Sequence, residues 1–287
     1  MGVSTDQLLQ LGLVLKGYTR KQRNRKYTQL LTWFKACYGE HPLVYVVLWH
    51  ELKEVDGERK LNPYMMTLHW LKCYPTEAEL AGDFNLDEKT IRLWTSHYSE
   101  CIQLLKPAFI VFPTDDEWGE TVFGGVVDGT HCRVMKPQHH KYPFDKRYKS
   151  HKFGKDAVTY EIMLDMKGIP RWVNGPHPAG KNDKLMYNEQ LRQKVPDGKL
   201  LIADCGYDGC KKVSTPSNYE SEALKEFKRN HRARIEHYNG RLKNFAILDG
   251  IFRTKGEKRM EKHKTVFDAI NVIVTIAIKT GFPLFDP

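Results

Sequence analysis

Apolar residues change their spacing along this chain near residue 110. Up to about residue 108 they recur at helical intervals and strand signals are few; strand-like runs begin near Phe123. Between the two, Lys106 to Gly124 carries two prolines and the acidic cluster Asp115, Asp116 and Glu117, the composition of a boundary. The expected organisation is therefore a helical region over residues 1–108 and a second domain over 120–287.

In the first region the sharpest pattern lies between Tyr74 and Leu105. Thr76 and Glu79 have the spacing of a capping box, in which two otherwise orphaned amides are satisfied at a helix start. Leu80, Ala81 and Phe84 would line one face of that helix, Asn85 and Leu86 would turn the chain, and Asp87 would cap a second helix with Ile91, Trp94 and Tyr98 inward. Two short helices around a tight turn read as a helix-turn-helix, leaving Glu88, Lys89, Arg92, Thr95 and Ser96 to face a DNA major groove; an ordinary helical bundle has the same pattern.

The second region opens with strand-like runs at Gly125–Val134, Ala157–Leu164 and Ile169–Val173, the last two joined by a turn at Lys167-Gly168. A helix follows over Asp183–Lys194 with Leu185, Met186, Leu191 and Tyr187 inward, then a buried strand at Lys199–Ala203. The clearest helix places Leu224, Phe227, His231, Ile235, Tyr238, Leu242 and Phe245 at intervals of three and four. The order strand, strand, strand, helix, strand, helix fits an α+β, RNase H-like mixed sheet with helices packed on it.

Charge narrows the class of partner. Forty-five Lys and Arg against 35 Asp and Glu favour a polyanion, although a basic enzyme of another kind has the same balance. Six bases between Lys16 and Lys26, interleaved with Tyr18 and Tyr27, form a phosphate-contacting or import-type run, or a solvated segment. The six cysteines show no framework spacing and read as free thiols; zinc on Cys205 and Cys210 beside Cys132 and His131 is the weaker alternative. No apolar run reaches the roughly 20 residues a membrane span needs, and the N-terminus lacks a secretory pattern, so a soluble intracellular protein is expected.

Three carboxylates then stand out. Asp128 interrupts an apolar strand, where an unpaired acid is costly. Asp204 ends the apolar run Leu200–Ala203, a place where an ordinary turn aspartate also occurs. Glu236 follows Arg232 by four residues and precedes Lys243 by seven, so the three share one line of their helix, with Gly240 leaving room beside it. Carboxylates converging from separate elements suit a pair of hard cations for phosphodiester chemistry.

With VVDGTH (126–131), RYKSHKFGKDAVTYEIMLD (147–165), NGPHPAGKNDKLMY (174–187), ADCGYD (203–208) and the Arg232, Glu236, Lys243 run in this order, the chain resembles the DDE endonuclease domain of PIF/Harbinger-type transposases and their bacterial insertion-sequence relatives. Where the bacterial pattern has a tyrosine three residues before the arginine, this chain has Arg229. The resemblance implies catalysis by two Mg²⁺ or Mn²⁺ ions on Asp128, Asp204 and Glu236. Asp183 reads first as a helix N-cap and second as a further metal ligand. DNA contacts would come from Arg232, Lys243, Tyr148, Lys149, His151 and Lys152, with His139 and His140 nearby, and from Lys89 and Arg92 of the helical region.

The implied substrate is double-stranded DNA, namely terminal inverted repeats and a target. A homo-oligomer is expected, with a Myb-like accessory DNA-binding protein as a possible partner. A nucleus would be the location in a eukaryote and the cytoplasm in a bacterium. The alternative is a domesticated DNA-binding or regulatory descendant, and a nuclease of RNA is a third reading; retention of all three acids favours chemistry over the domesticated form.

Overall fold

The computed structural model describes residues 2–18, 25–57, 59–135, 145–254 and 258–284. Two compact units emerge: Met1–Phe109 with Leu242–Asp249 and Thr265–Pro283, and Ile110–Arg241 with Gly250–Lys264 and Leu284–Pro287. The first contains the helices α1 (Thr5–Leu15), α2 (Tyr27–Tyr38), α3 (Pro42–Glu51), α4 (Leu61–Cys73), α5 (Glu77–Phe84), α6 (Glu88–Leu104) and α7 (Lys106–Phe109).

Helices α5 and α6 start and stop as the side-chain chemistry dictates. Thr76 accepts from the Glu79 amide while the Glu79 carboxylate takes the Thr76 amide, Asn85 ends α5 in a left-handed conformation, and Asp87 accepts from the Thr90 amide. Leu80 and Ile91 pack with Met66 of α4, flanked by Trp70, Ala81, Phe84 and Trp94. Two residues expected on the outer face are committed elsewhere. Thr95 is buried, its hydroxyl donating to the Ile91 carbonyl, and Arg92 is exposed but ion-paired with Glu77 of α5, Nε to Oε1 at 3.0 Å. In the basic run, Lys16 pairs with Asp83 at 2.6 Å; residues 19–24 of that run lie outside the described residues, as do His139 and His140.

The second unit is built on a five-stranded mixed sheet. Its strands are β1 (Phe123–Arg133), β2 (Ala157–Asp165), β3 (Pro170–Pro178), β4 (Leu200–Ile202) and β5 (Val213–Ser214), in the order β3-β2-β1-β4-β5. The β1–β2 and β2–β3 pairs are antiparallel, and β1–β4 and β4–β5 are parallel. Asp165 closes the β2–β3 turn by accepting from the Lys167 and Ile169 amides. Strand β3 runs on to Pro178, beyond the apolar stretch that marks its start in the sequence, and β5 is too short to have a sequence period at all.

The segment after β3 winds as α8 (Asp183–Met186), a wider π turn over Tyr187–Leu191, and α9 (Arg192–Lys194). Tyr187 and Leu191 are buried on a cluster with Val127, Met163, Leu201 and Tyr207, and Met186 is buried too, but Leu185 faces outward because those three positions already fill the inward face. Asn182, not Asp183, caps this helix: its backbone is extended and its side chain accepts from the Lys184 amide, which leaves the Asp183 carboxylate available elsewhere.

Three further helices complete the fold: α10 (Glu222–Lys243), α11 (Ala246–Asp249) and α12 (Arg259–Lys279). Along α10, His231, Ile235, Tyr238 and Leu242 are buried as their spacing requires. At its start the pattern departs: Phe227 stays partly exposed while Lys228 is buried, because Glu220 and the Thr215 carbonyl both accept from the Lys228 ammonium. No described helix is long and apolar enough to cross a membrane.

Candidate active site

Asp128 lies mid-strand in β1, opposite Ile162 of β2. Its Oδ1 accepts from the Gly129 amide at 2.8 Å and its Oδ2 from Asn239 Nδ2 of α10 at 2.9 Å. Burial pushes the carboxyl up to about 6; the Lys152 charge opposes this, and the charges of Asp204 and Asp183 add to it. Asp204 caps the turn after β4, with Oδ1 accepting from the Gly206 amide at 2.8 Å.

Asp183 reaches the same place from the start of α8. A Cβ built on Gly129 would lie 2.7 Å from Asp183 Oδ1, and one on Gly206 would lie 2.8 Å from Asp204 Oδ1 and 3.1 Å from Asp183 Oδ2. The two carboxylates thus crowd one point at Gly206. Burial first, and then the Asp204 charge, raises the Asp183 carboxyl above its ordinary value, while Lys152 and His151 pull it down. Lys152 and His151 are exposed on a turn whose Ser150 hydroxyl accepts from the Lys152 and Phe153 amides and meets His131 Nδ1 at 2.8 Å.

Glu236 comes from a further element. It is exposed on α10, three residues before Asn239, so the line Arg232, Glu236, Lys243 also carries the residue that touches Asp128. Arg232 and Lys243 are partly buried, as is Tyr148; Lys149 and Lys89 are exposed. Gly240 has open space where a side chain would be.

Behind the aspartates lies a layer that sequence patterning missed. Glu161 of β2 pairs with Gly129 of β1 and is fully buried; its Oε2 accepts from Trp172 Nε1 at 3.1 Å, and Oε1 has no hydrogen-bond partner among the described residues. Burial pushes it up to about 7. The buried Tyr207 hydroxyl also has no hydrogen-bond partner among the described residues, and its pKa is raised by burial and then by the Glu161 charge. The reasoning that singles out Asp128, an acid in the middle of an apolar strand, applies equally to Glu161 in AVTYEIMLD. Asn239 gives no such signal, since an amide on a charged helix looks solvated.

Among the described residues no three His, Cys, Asp or Glu side chains are drawn together as a ready metal site. No disulfide joins the six cysteines among the described residues. The donor set nonetheless fits a hard cation: it consists of carboxylate oxygens, and their mutual repulsion at Asp183 and Asp128 is what a positive ion relieves.

An acidic centre on a mixed sheet, with a lysine and a histidine beside it, is the kind of site nucleases are built on, and the sheet is compatible with a DDE nuclease fold. Residues 127–277, just over half of the chain, match the model of the DDE superfamily endonuclease family, and the chain belongs to that family. No curated protein and no solved structure matches the chain.

Proposed function

We propose that this chain is a DNA transposase of the PIF/Harbinger type, with an RNase H-like catalytic unit that cuts phosphodiester bonds at the ends of an element and joins them to target DNA. The observation that carries this reading is the convergence of Asp183 and Asp204 at Gly206, with Asp128 near enough to feel both charges and Lys152 near enough to oppose them. Asp128, Asp204 and Asp183 would hold the metal, and Glu236 would complete the set from α10. Two Mg²⁺ or Mn²⁺ ions bound there would supply activation of the attacking oxygen and stabilisation of the leaving one.

The remaining work falls to the chain's own side chains. Lys152 and His151, and Tyr148 and Lys149 on the same segment, orient the phosphate backbone; Arg232 and Lys243 grip it on either side of Glu236 along α10. Helices α5 and α6 serve as a helix-turn-helix, in which Lys89 is unencumbered by the Glu77 pairing that holds Arg92. Synapsis of two element ends requires at least a dimer, and a Myb-like protein is the accessory partner the family type suggests.

The test compares wild type with Asp128→Asn, Asp204→Asn, Asp183→Asn and Glu236→Gln for Mg²⁺-dependent cleavage of labelled duplex carrying the repeats that flank the gene. Each substitution of a true ligand should lower cleavage by more than about 100-fold. Equal activity in all five proteins would sink the site. Loss in Asp183→Asn with activity kept in Glu236→Gln would move the third acid from α10 to α8.

A further inference from the structure

Resting on that reading of the carboxylates, we propose that Asn239 is the positioning residue of the centre, fixing the Asp128 carboxylate and registering α10, the helix that bears Glu236, against it. Asp128 has two oxygens, and each takes a single donor, the Gly129 amide at Oδ1 and Asn239 Nδ2 at Oδ2. The first donor is the next residue of the same strand; the second comes from 111 residues further along the chain. One bond therefore sets the rotation of the carboxylate relative to its own strand, and the other ties it to α10. Each oxygen keeps lone-pair capacity for a cation, because a carboxylate accepts at about four sites.

The rest of the Asn239 side chain argues against a packing role. It is nine-tenths buried, yet its Oδ1 has no hydrogen-bond partner among the described residues. An amide retained to knit the interior together satisfies both ends, whereas this one satisfies only the end that meets Asp128. An ionised carboxylate can only accept, so the NH₂ group must face Asp128 and the oxygen must turn away from it. That buried oxygen is an acceptor for which the described residues supply no donor.

Helical spacing explains why the bond matters for Glu236. Glu236 and Asn239 are three residues apart on one face of α10, so holding Asn239 to Asp128 presents Glu236 to the same side of the sheet one turn away.

Mn²⁺ binding to the full chain provides the test, followed by electron paramagnetic resonance titration, with cleavage measured alongside. Asn239→Leu keeps the size and removes the bond; Asn239→Ala is judged in its place if the leucine form fails to fold, and exposed Asn230→Ala on the same helix is the control. The expected result is a loss of Mn²⁺ affinity of about 10- to 100-fold, with kcat falling and the KM for DNA unchanged, and with circular dichroism as in wild type. Wild-type Mn²⁺ affinity in a folded Asn239→Leu or Asn239→Ala protein overturns this inference while leaving the carboxylate site standing. A wild-type protein that binds no Mn²⁺ overturns the carboxylate reading itself and this inference with it.

Discussion

At Gly129 and Gly206 the functional feature is the side chain that is missing. A methyl group at either position would occupy the space of an Asp183 or Asp204 carboxylate oxygen, at 2.7 and 2.8 Å. Gly129→Ala and Gly206→Ala proteins should therefore fold, as a thermal melt would record, yet lose about 100-fold in cleavage through displaced carboxylates. Cleavage at wild-type rate in both would mean that the crowding is harmless. Glu161 poses a different problem, since it is fully buried and lifted from 4.5 to about 7. A carboxyl raised on folding contributes stability that is complete below its unfolded value and is lost as pH climbs through the folded one. Its window is therefore about pH 4.5 to 7, worth on the order of 3 kcal/mol at about 1.4 kcal/mol per pKa unit. Asp128 and Asp183 shift in the same direction. The metal-free protein should thus melt at lower temperature as pH rises from 5 to 8, and the slope should flatten in Glu161→Gln; a melting temperature that rises over this range would contradict the burial argument.

At the scale of single elements, local chemistry decides where helices begin and tertiary packing decides which face is used. The Thr76–Glu79 capping box starts α5, and Thr76→Ala should cost about 1 kcal/mol in chemical denaturation. No change would show that α5 is held by packing on Met66 alone. The faces are less predictable from the element itself. Lys228 is buried on α10 where the apolar period calls for Phe227, because the loop that leads into the helix brings Glu220 and the Thr215 carbonyl to its ammonium. Asp183 looks like a cap by position, but Asn182, one residue earlier, takes the Lys184 amide and frees the aspartate for the site.

Over the whole chain, residues distant in sequence share a unit. Thr265–Pro283 groups with Met1–Phe109, and there Lys106 and Gln103 of the N-terminal helices meet Asp268 and Thr265. Val266, Phe267, Ile270, Ile273 and Ile276 of α12 are buried. A fragment of residues 110–287, cut at the apparent linear boundary, would expose this apolar helix and should aggregate in size-exclusion chromatography. A monodisperse soluble fragment would show that the endonuclease portion needs nothing from the first 109 residues.

Much of this protein is legible without coordinates. The caps of α5 and α6, the β2–β3 turn, and the apolar strands that carry Asp128 and Asp204 all rest on short-range rules, in which a residue and its neighbours within a few positions fix the backbone. Asp128 was conspicuous for the same reason, as an acid breaking a local apolar run. What the tertiary structure alone decided is which acids meet. Asp183 and Asp204 converge at Gly206, Asn239 touches Asp128, and Glu161 is sealed in the sheet beside Gly129, all through contacts between separate strands and helices. Periodicity reports which way a side chain faces relative to its own element, whereas a catalytic centre depends on what lies opposite, and that is set by strand order and packing.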